Sequence, residues 1–111
     1  MKYFSTRDHS KHFSFSEALK YGLAPDGGLF LPEKLEKVQL IEFNHKMSFA
    51  DFADKLLSPF VSGDEGLEDR LPEICQSAFQ FSIPLRFRKE RFAILELFHG
   101  PTSAFKDVGA C

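Results

Sequence analysis

Two stretches of helical periodicity constrain this chain more than any other feature in it. Phe49, Phe52, Ala53, Leu56, Leu57 and Phe60 recur at the spacing of a single helix face. After the loop Ser62-Gly63-Asp64-Glu65-Gly66, the residues Leu67, Leu71, Ile74, Cys75, Ala78 and Phe79 do the same. An apolar stripe of this kind needs a covering layer, so both segments must be packed helices in a folded core. Ser48 with Asp51 signals the start of the first. Pro59 predicts its end near Leu57 or Ser58, because the residue before a proline avoids the helical region. Pro72 predicts that the regular part of the second begins around Leu71, since proline is tolerated only in a first turn.

The flanking segments read as short strands and one further helix. Tyr3-Phe4-Ser5-Thr6 is aromatic and β-prone, and residues 7–12 form a polar connection. Ser14-Phe15-Ser16-Glu17 is a capping box, in which the serine hydroxyl accepts the Glu17 amide while the Glu17 carboxylate reaches back. The helix it opens carries Phe15, Ala18 and Leu19 on one face, and Gly22 is placed to end it in a left-handed conformation. Pro25-Asp26-Gly27-Gly28 is a tight turn, with Pro presetting φ and the glycines tolerating positive φ. Leu29-Phe30-Leu31 follows as a short buried strand closed by Pro32. Residues 33–46 lack periodicity and are expected to be irregular. Near the end, Leu85 and Phe87 alternate with Arg86 and Arg88 as an edge strand. A turn at Lys89-Glu90 leads to a more buried strand within the apolar run from Phe92 to Phe98.

The predicted fold is α/β, with about three helices packed on a short mixed β-sheet. A chain of 111 residues can bury one modest core and is short for the two domains of a cleft enzyme. Apolar residues at 43% and charged residues at 27% give a globular balance.

Composition also bears on partners. Fourteen Phe and no Trp could suggest a stacking surface for bases, but most of the Phe fall at buried-face spacings, which favours core packing. The net charge of −2 lacks the basic bias of a nucleic-acid binder. The one basic cluster, Arg86, Arg88, Lys89 and Arg91, reads as the solvated edge of a strand and its turn. Cys75 lies on an apolar helix stripe and Cys111 is the last residue, a pattern unlike a disulfide framework. The first ten residues are polar and charged, with no signal peptide or membrane span, so the expected location is the cytoplasm. No metal-ligand spacing is present.

The chemistry concentrates in Glu96-Leu97-Phe98-His99-Gly100-Pro101-Thr102-Ser103-Ala104-Phe105-Lys106-Asp107. An apolar strand runs into a turn enforced by Gly100 and Pro101. A helix capped by Thr102 or Ser103 could follow, with Lys106 in its first turn. The positive end of a helix dipole disfavours an ammonium, which frees the amine to attack an aldehyde, and the free amides there suit a phosphate or carboxylate. By spacing alone, a solvent-facing lysine in a first turn reads first as an ordinary surface residue.

The run ELFHGPTSAFKD resembles the cofactor-lysine motif of threonine synthases, a branch of the fold-type II pyridoxal-phosphate enzymes. Tyr3-Phe4-Ser5-Thr6-Arg7, and Ala18-Leu19 followed by the block from Gly22 to Pro32, are similar to the N-terminal region of that family. The middle helices match only in pattern. The resemblance implies that the chain is an N-terminal fragment of a two-domain enzyme, with residues 1–98 its N-terminal domain and 99–111 the truncated start of the catalytic domain. It implies a lyase that converts O-phosphohomoserine and water to threonine and phosphate, with pyridoxal phosphate in Schiff-base linkage to Lys106 as catalytic and cofactor-binding residue. His99, Thr102, Ser103 and Asp107 are candidate substrate or loop residues. His99 reads more readily as a structural hydrogen bond, Thr102 and Ser103 as helix caps, and Asp107 as electrostatic support for the helix start. Ser103 stands where the family often carries Leu. The Asp26-Gly27-Gly28 turn could rim an active site or be purely conformational.

The family's glycine-rich phosphate cup lies beyond the lysine, so the 111 residues alone are expected to be inactive, with residues from His99 onward poorly ordered or docked in a non-native way for want of packing partners. Two alternatives remain: another fold-type II activity, against which the Pro25-Asp26-Gly27-Gly28 block argues, and a threonine-synthase-like non-catalytic binding module. No exposed apolar patch is evident in the sequence to favour the latter.

Overall fold

The computed structural model describes residues 1–39, 43, 44, 46–89 and 91–110. Its elements in chain order are β1 (Tyr3–Ser5), α1 (Phe15–Tyr21), β2 (Phe30–Pro32), α2 (Phe49–Val61), α3 (Leu71–Ala78), β3 (Leu85–Lys89), β4 (Phe92–Leu95) and a one-turn α4 (Asp107–Ala110). The α/β class is as expected. The described strands form two separate antiparallel pairs, β1 with β2 and β3 with β4, where a single mixed sheet was predicted. The predicted turn residue Glu90 lies outside the described residues.

The N-terminal layer is built by β1, β2 and α1. Tyr3 pairs with Pro32 and Ser5 with Phe30, and Phe13 adds a bridge to Tyr3 through two backbone hydrogen bonds of 2.9 and 2.8 Å. The capping box forms as predicted, with Glu17 N–H donating to Ser14 Oγ at 3.1 Å and Ser14 N–H to Glu17 Oε2 at 2.8 Å. Gly22 ends α1 at φ 70°, ψ −60°, and Leu23 N–H donates to Tyr21 O at 2.8 Å. The predicted positive φ is there, but it serves a γ-turn instead of the left-handed helical cap. Leu29 and Leu31 are exposed, so the expected burial of this strand fails at both. Of the predicted strand Phe30 is half-buried and packs edge-on against Phe13, centroids 5.0 Å apart. Leu19, predicted on the inner face of α1, is exposed as well.

The core sits between α2 and α3. Ala50, Ala53 and Val61 of α2 meet Leu71 and Cys75 of α3, with Phe15, Leu67 and Phe79 packed against them. Small residues at the contact let the two helix backbones approach closely. Gln76 Nε2 donates to Asp51 Oδ1 at 3.0 Å and ties the helices together beside the Ser48 cap. Helix α3 begins at Leu71 as predicted, with Pro72 in its first turn.

Helix α2 overruns its predicted end. It continues to Val61 with Pro59 inside it. A proline costs a helix one hydrogen bond and a steric adjustment, and tertiary contacts offset that here. Val61 is buried in the core, Tyr3 Oη donates to the Phe60 carbonyl at 2.8 Å, and the Met1 amine donates to the Ser62 carbonyl. These contacts come from the core and from Met1 and Tyr3, far away in sequence, where local rules cannot see them.

Strands β3 and β4 form a hairpin with a bulge between Phe87 and Lys89. Both strands are exposed along their length, so the more buried character predicted for β4 does not hold. The basic residues Arg86, Arg88, Lys89 and Arg91 are solvated, as expected. The radius of gyration is 16.7 Å, against about 13 Å for a compact chain of this length. The molecule measures 52 × 26 × 26 Å, and the hairpin has no covering layer among the described residues.

The phenylalanines divide accordingly. Phe49, Phe79 and Phe81 cluster, with centroids 4.6 to 6.5 Å apart, and support the helical core. Phe87, Phe92, Phe98 and Phe105 are exposed. Together with Leu85, Ile94 and Leu95 they give the C-terminal third an apolar surface that sequence spacing did not reveal.

Candidate functional site

The segment that carries the motif leaves β4 at Leu95 and is pinned at once. Glu96 N–H donates to the Pro84 carbonyl at 3.0 Å, and the Glu96 carboxylate meets His99 Nε2 at 2.8 Å and Arg86 Nε at 3.7 Å. The His99 hydrogen bond first, and Arg86 second, hold the Glu96 carboxyl below its ordinary pKa. His99 also stacks on Phe98 at 4.7 Å. The imidazole is therefore a structural tie to the hairpin, the reading its position favoured. Glu96 had no role assigned from sequence; its spacing of three from His99 was the available signal.

After Pro101 the backbone coils through successive tight turns. Ser103 N–H donates to the Gly100 carbonyl at 3.0 Å, Asp107 N–H to Ala104 at 3.1 Å and Gly109 N–H to Lys106 at 3.0 Å. The predicted helix thus begins later than expected: α4 starts at Asp107, and Lys106 lies in the turn just before it. The physical reason is the conformation of Ser103, whose φ of 57° takes it out of the right-handed helical region. Residues 99–110 follow the course that these bonds set.

Thr102 and Asp107 define the centre of the loop. The Asp107 carboxylate accepts the Thr102 amide at 2.8 Å and the Thr102 hydroxyl at 2.6 Å. Asp107 is buried, and the Thr102 hydroxyl first, with its amide, holds its carboxyl below the usual range. Gly100 presses on it: a Cβ there would lie 2.4 Å from Asp107 Cβ. The Thr102 hydroxyl is therefore committed to Asp107, and it is neither a free ligand donor nor a cap of the simple N-terminal kind. Thr102, Ser103 and Lys106 are all exposed. The loop buries its carboxylate and presents its amine.

The other predicted turn is equally well built. Asp26 Oδ1 accepts from Ser5 Oγ at 2.7 Å and from Gly28 N–H at 2.8 Å, and Arg7 Nη1 donates to the Asp26 carbonyl at 3.0 Å. A Cβ on Gly28 would lie 2.1 Å from Ser5 Oγ. The conformational reading of this turn is the one these contacts support. A groove of about 600 Å³ lined by Asn44, Phe49, Phe79, Gln80 and Phe81 contains no residue of the 99–110 loop. Among the described residues no group of three or more His, Cys, Asp or Glu could hold a metal ion, and no helix is long and apolar enough to cross a membrane.

The sequence and the fold both have counterparts among known proteins. Residues 2–79 match the family model described as threonine synthase N terminus. The chain is 40% identical to threonine synthase of Serratia marcescens over 111 residues, covering 98% of this chain and 26% of that protein. It is 38% identical to threonine synthase of Schizosaccharomyces pombe, covering 97% of this chain and 22% of that one. The crystal structure of threonine synthase from Escherichia coli superposes with a TM-score of 0.81 at 39% identity, over 96% of this chain and 25% of that one. The pyridoxal-phosphate-bound threonine synthase of Brucella melitensis gives 0.80 at 37% identity, over 96% and 24%. The chain thus spans about a quarter of the length of these relatives. With most of its residues matched by the family model and its fold shared with solved members, it belongs to the threonine synthase N-terminal family.

Proposed function

We propose that this chain is the lysine-bearing N-terminal portion of a threonine synthase, a lyase that converts O-phosphohomoserine and water to threonine and inorganic phosphate. The observation that carries it is the exposed Lys106 on a clamped loop, in a chain that matches threonine synthases along nearly its whole length. In the net reaction the bond from Cγ to the phosphate oxygen breaks, a proton is gained at Cγ and one is lost from Cβ, and the hydroxyl of water is added at Cβ while phosphate leaves with the remaining proton.

The residues present fit one part of a pyridoxal-phosphate site. Lys106 offers an exposed primary amine, and the loop around it is fixed by backbone hydrogen bonds and the buried Asp107. When bound, pyridoxal phosphate supplies the electron sink on which carbanions at the amino acid are stabilised. Lys106 Nζ would hold it and would move protons to and from the substrate carbons. Residues 1–98 are the N-terminal domain, and 99–111 open the catalytic domain. The apolar face carrying Leu85, Phe87 and Leu95 packs against the remainder of such an enzyme. The protein works in the cytoplasm.

The test uses the full-length protein. Phosphate release from O-phosphohomoserine is expected with the wild type and lost in Lys106→Ala. The wild type should also hold pyridoxal phosphate through dialysis, whereas the 111-residue chain alone should neither retain it nor turn over. Absence of phosphate release from the full-length wild type would overturn the proposal and leave a binding module as the reading.

A further inference from the structure

The residue next to Lys106 is the most constrained in the loop. Asp107 is 6% exposed, takes both donors of Thr102 at 2.8 and 2.6 Å, and rests on a glycine at which any Cβ would collide with it. Ser103 is held at a positive φ, a conformation that is unfavourable for a residue other than glycine and persists only where surrounding contacts over-determine it. Consecutive side chains entering a helix point about 100° apart. With the Asp107 side chain fixed inward, that of Lys106 must leave the loop on the solvent side.

Building on the proposed role of Lys106, we propose that Asp107 is a positioning residue. Its clamp on Thr102 and its seat on Gly100 fix the backbone of the turn and thereby aim the Lys106 amine. The carboxylate touches neither cofactor nor substrate and acts through its neighbour. Only a short side chain with two acceptor oxygens can take both Thr102 donors at this distance, and only glycine at position 100 leaves room for it.

The test compares Asp107→Asn, Thr102→Val, Thr102→Ser and Gly100→Ala in the full-length enzyme. Borohydride reduction with pyridoxal phosphate, followed by mass spectrometry, first locates the label in the wild type. A label anywhere but Lys106 defeats the assignment of the cofactor lysine itself. With the label on Lys106, Asp107→Asn, Thr102→Val and Gly100→Ala are each expected to slow cofactor attachment about tenfold, the scale of one lost charge-assisted hydrogen bond. They should lower kcat by a similar factor with KM within about twofold, as for a group that acts on the reacting amine and not on substrate binding. Thr102→Ser, which keeps both donors, should attach at least about fivefold faster than Thr102→Val. Wild-type attachment rates in Thr102→Val and Gly100→Ala, or equal rates for Thr102→Ser and Thr102→Val, would overturn the positioning role. Thr102→Val removes one hydroxyl from an exposed residue, so the test stands even if Asp107→Asn fails to fold.

Discussion

Asp64 caps a helix to which it is not locally joined: its two carboxylate oxygens accept the amide and hydroxyl of Ser16, 48 positions earlier, at 2.7 and 2.6 Å. The contact docks the loop between α2 and α3 onto the first turn of α1 and couples the helical core to the N-terminal layer. Buried and doubly bonded, Asp64 leaves two donors orphaned when it is removed. Asp64→Ala is expected to destabilise the protein by about 2–3 kcal/mol. Urea unfolding of the two proteins, followed by circular dichroism, measures it.

The same carboxylates set a pH dependence. Asp26, Asp64 and Asp107 have their pKa values lowered in the folded protein, chiefly by the hydroxyls of Ser5, Ser16 and Thr102 respectively. Between each lowered value and the unfolded value of about 3.9, the unfolded chain binds more protons, so stability rises with pH across that window. The contribution is fully present above the unfolded value and is lost as pH falls through the folded ones. The urea midpoint is expected to hold steady between about pH 5 and 7 and to decline below about pH 4. The decline should be shallower in Asp64→Asn.

Gly28 is required for space. A methyl there would meet Ser5 Oγ at 2.1 Å and break the bond from Ser5 to Asp26 that closes the turn onto β1. Gly28→Ala is expected to lower stability by about 1–3 kcal/mol through this overpacking. Thermal melts of wild type and variant give the difference directly.

The uncovered hairpin makes the isolated chain sticky. Phe87 is 77% exposed and Phe92 59%, on a hairpin rich in other apolar side chains. Concentration-dependent self-association of the 111-residue chain is expected in sedimentation velocity, and the double variant Phe87→Ser, Phe92→Ser should reduce it. In full-length protein the same double variant should instead impair folding, because there the face of Phe87 is proposed to be packed.

What the sequence determined by itself were the features whose causes lie within a few residues. The capping box of Ser14 and Glu17, the start of α3 at Leu71 ahead of Pro72, the turn at Pro25-Asp26-Gly27-Gly28 and the burial of Cys75 all follow from local hydrogen bonding and periodicity. The motif around Lys106 was legible as a pattern too. Tertiary structure decided everything that depended on a distant partner. Val61 extends α2 past Pro59 because β1 and the core hold its end, which no window around Pro59 contains. The run from Phe92 to Leu95 is apolar enough to be buried, yet it lies exposed, because burial depends on what else the chain brings to that face. At the candidate site the residue types were visible in order, but the division of labour was not. Asp107 turns inward to Thr102, His99 to Glu96, and Lys106 is left facing out, because a loop with positive φ at Ser103 replaces the predicted first helical turn.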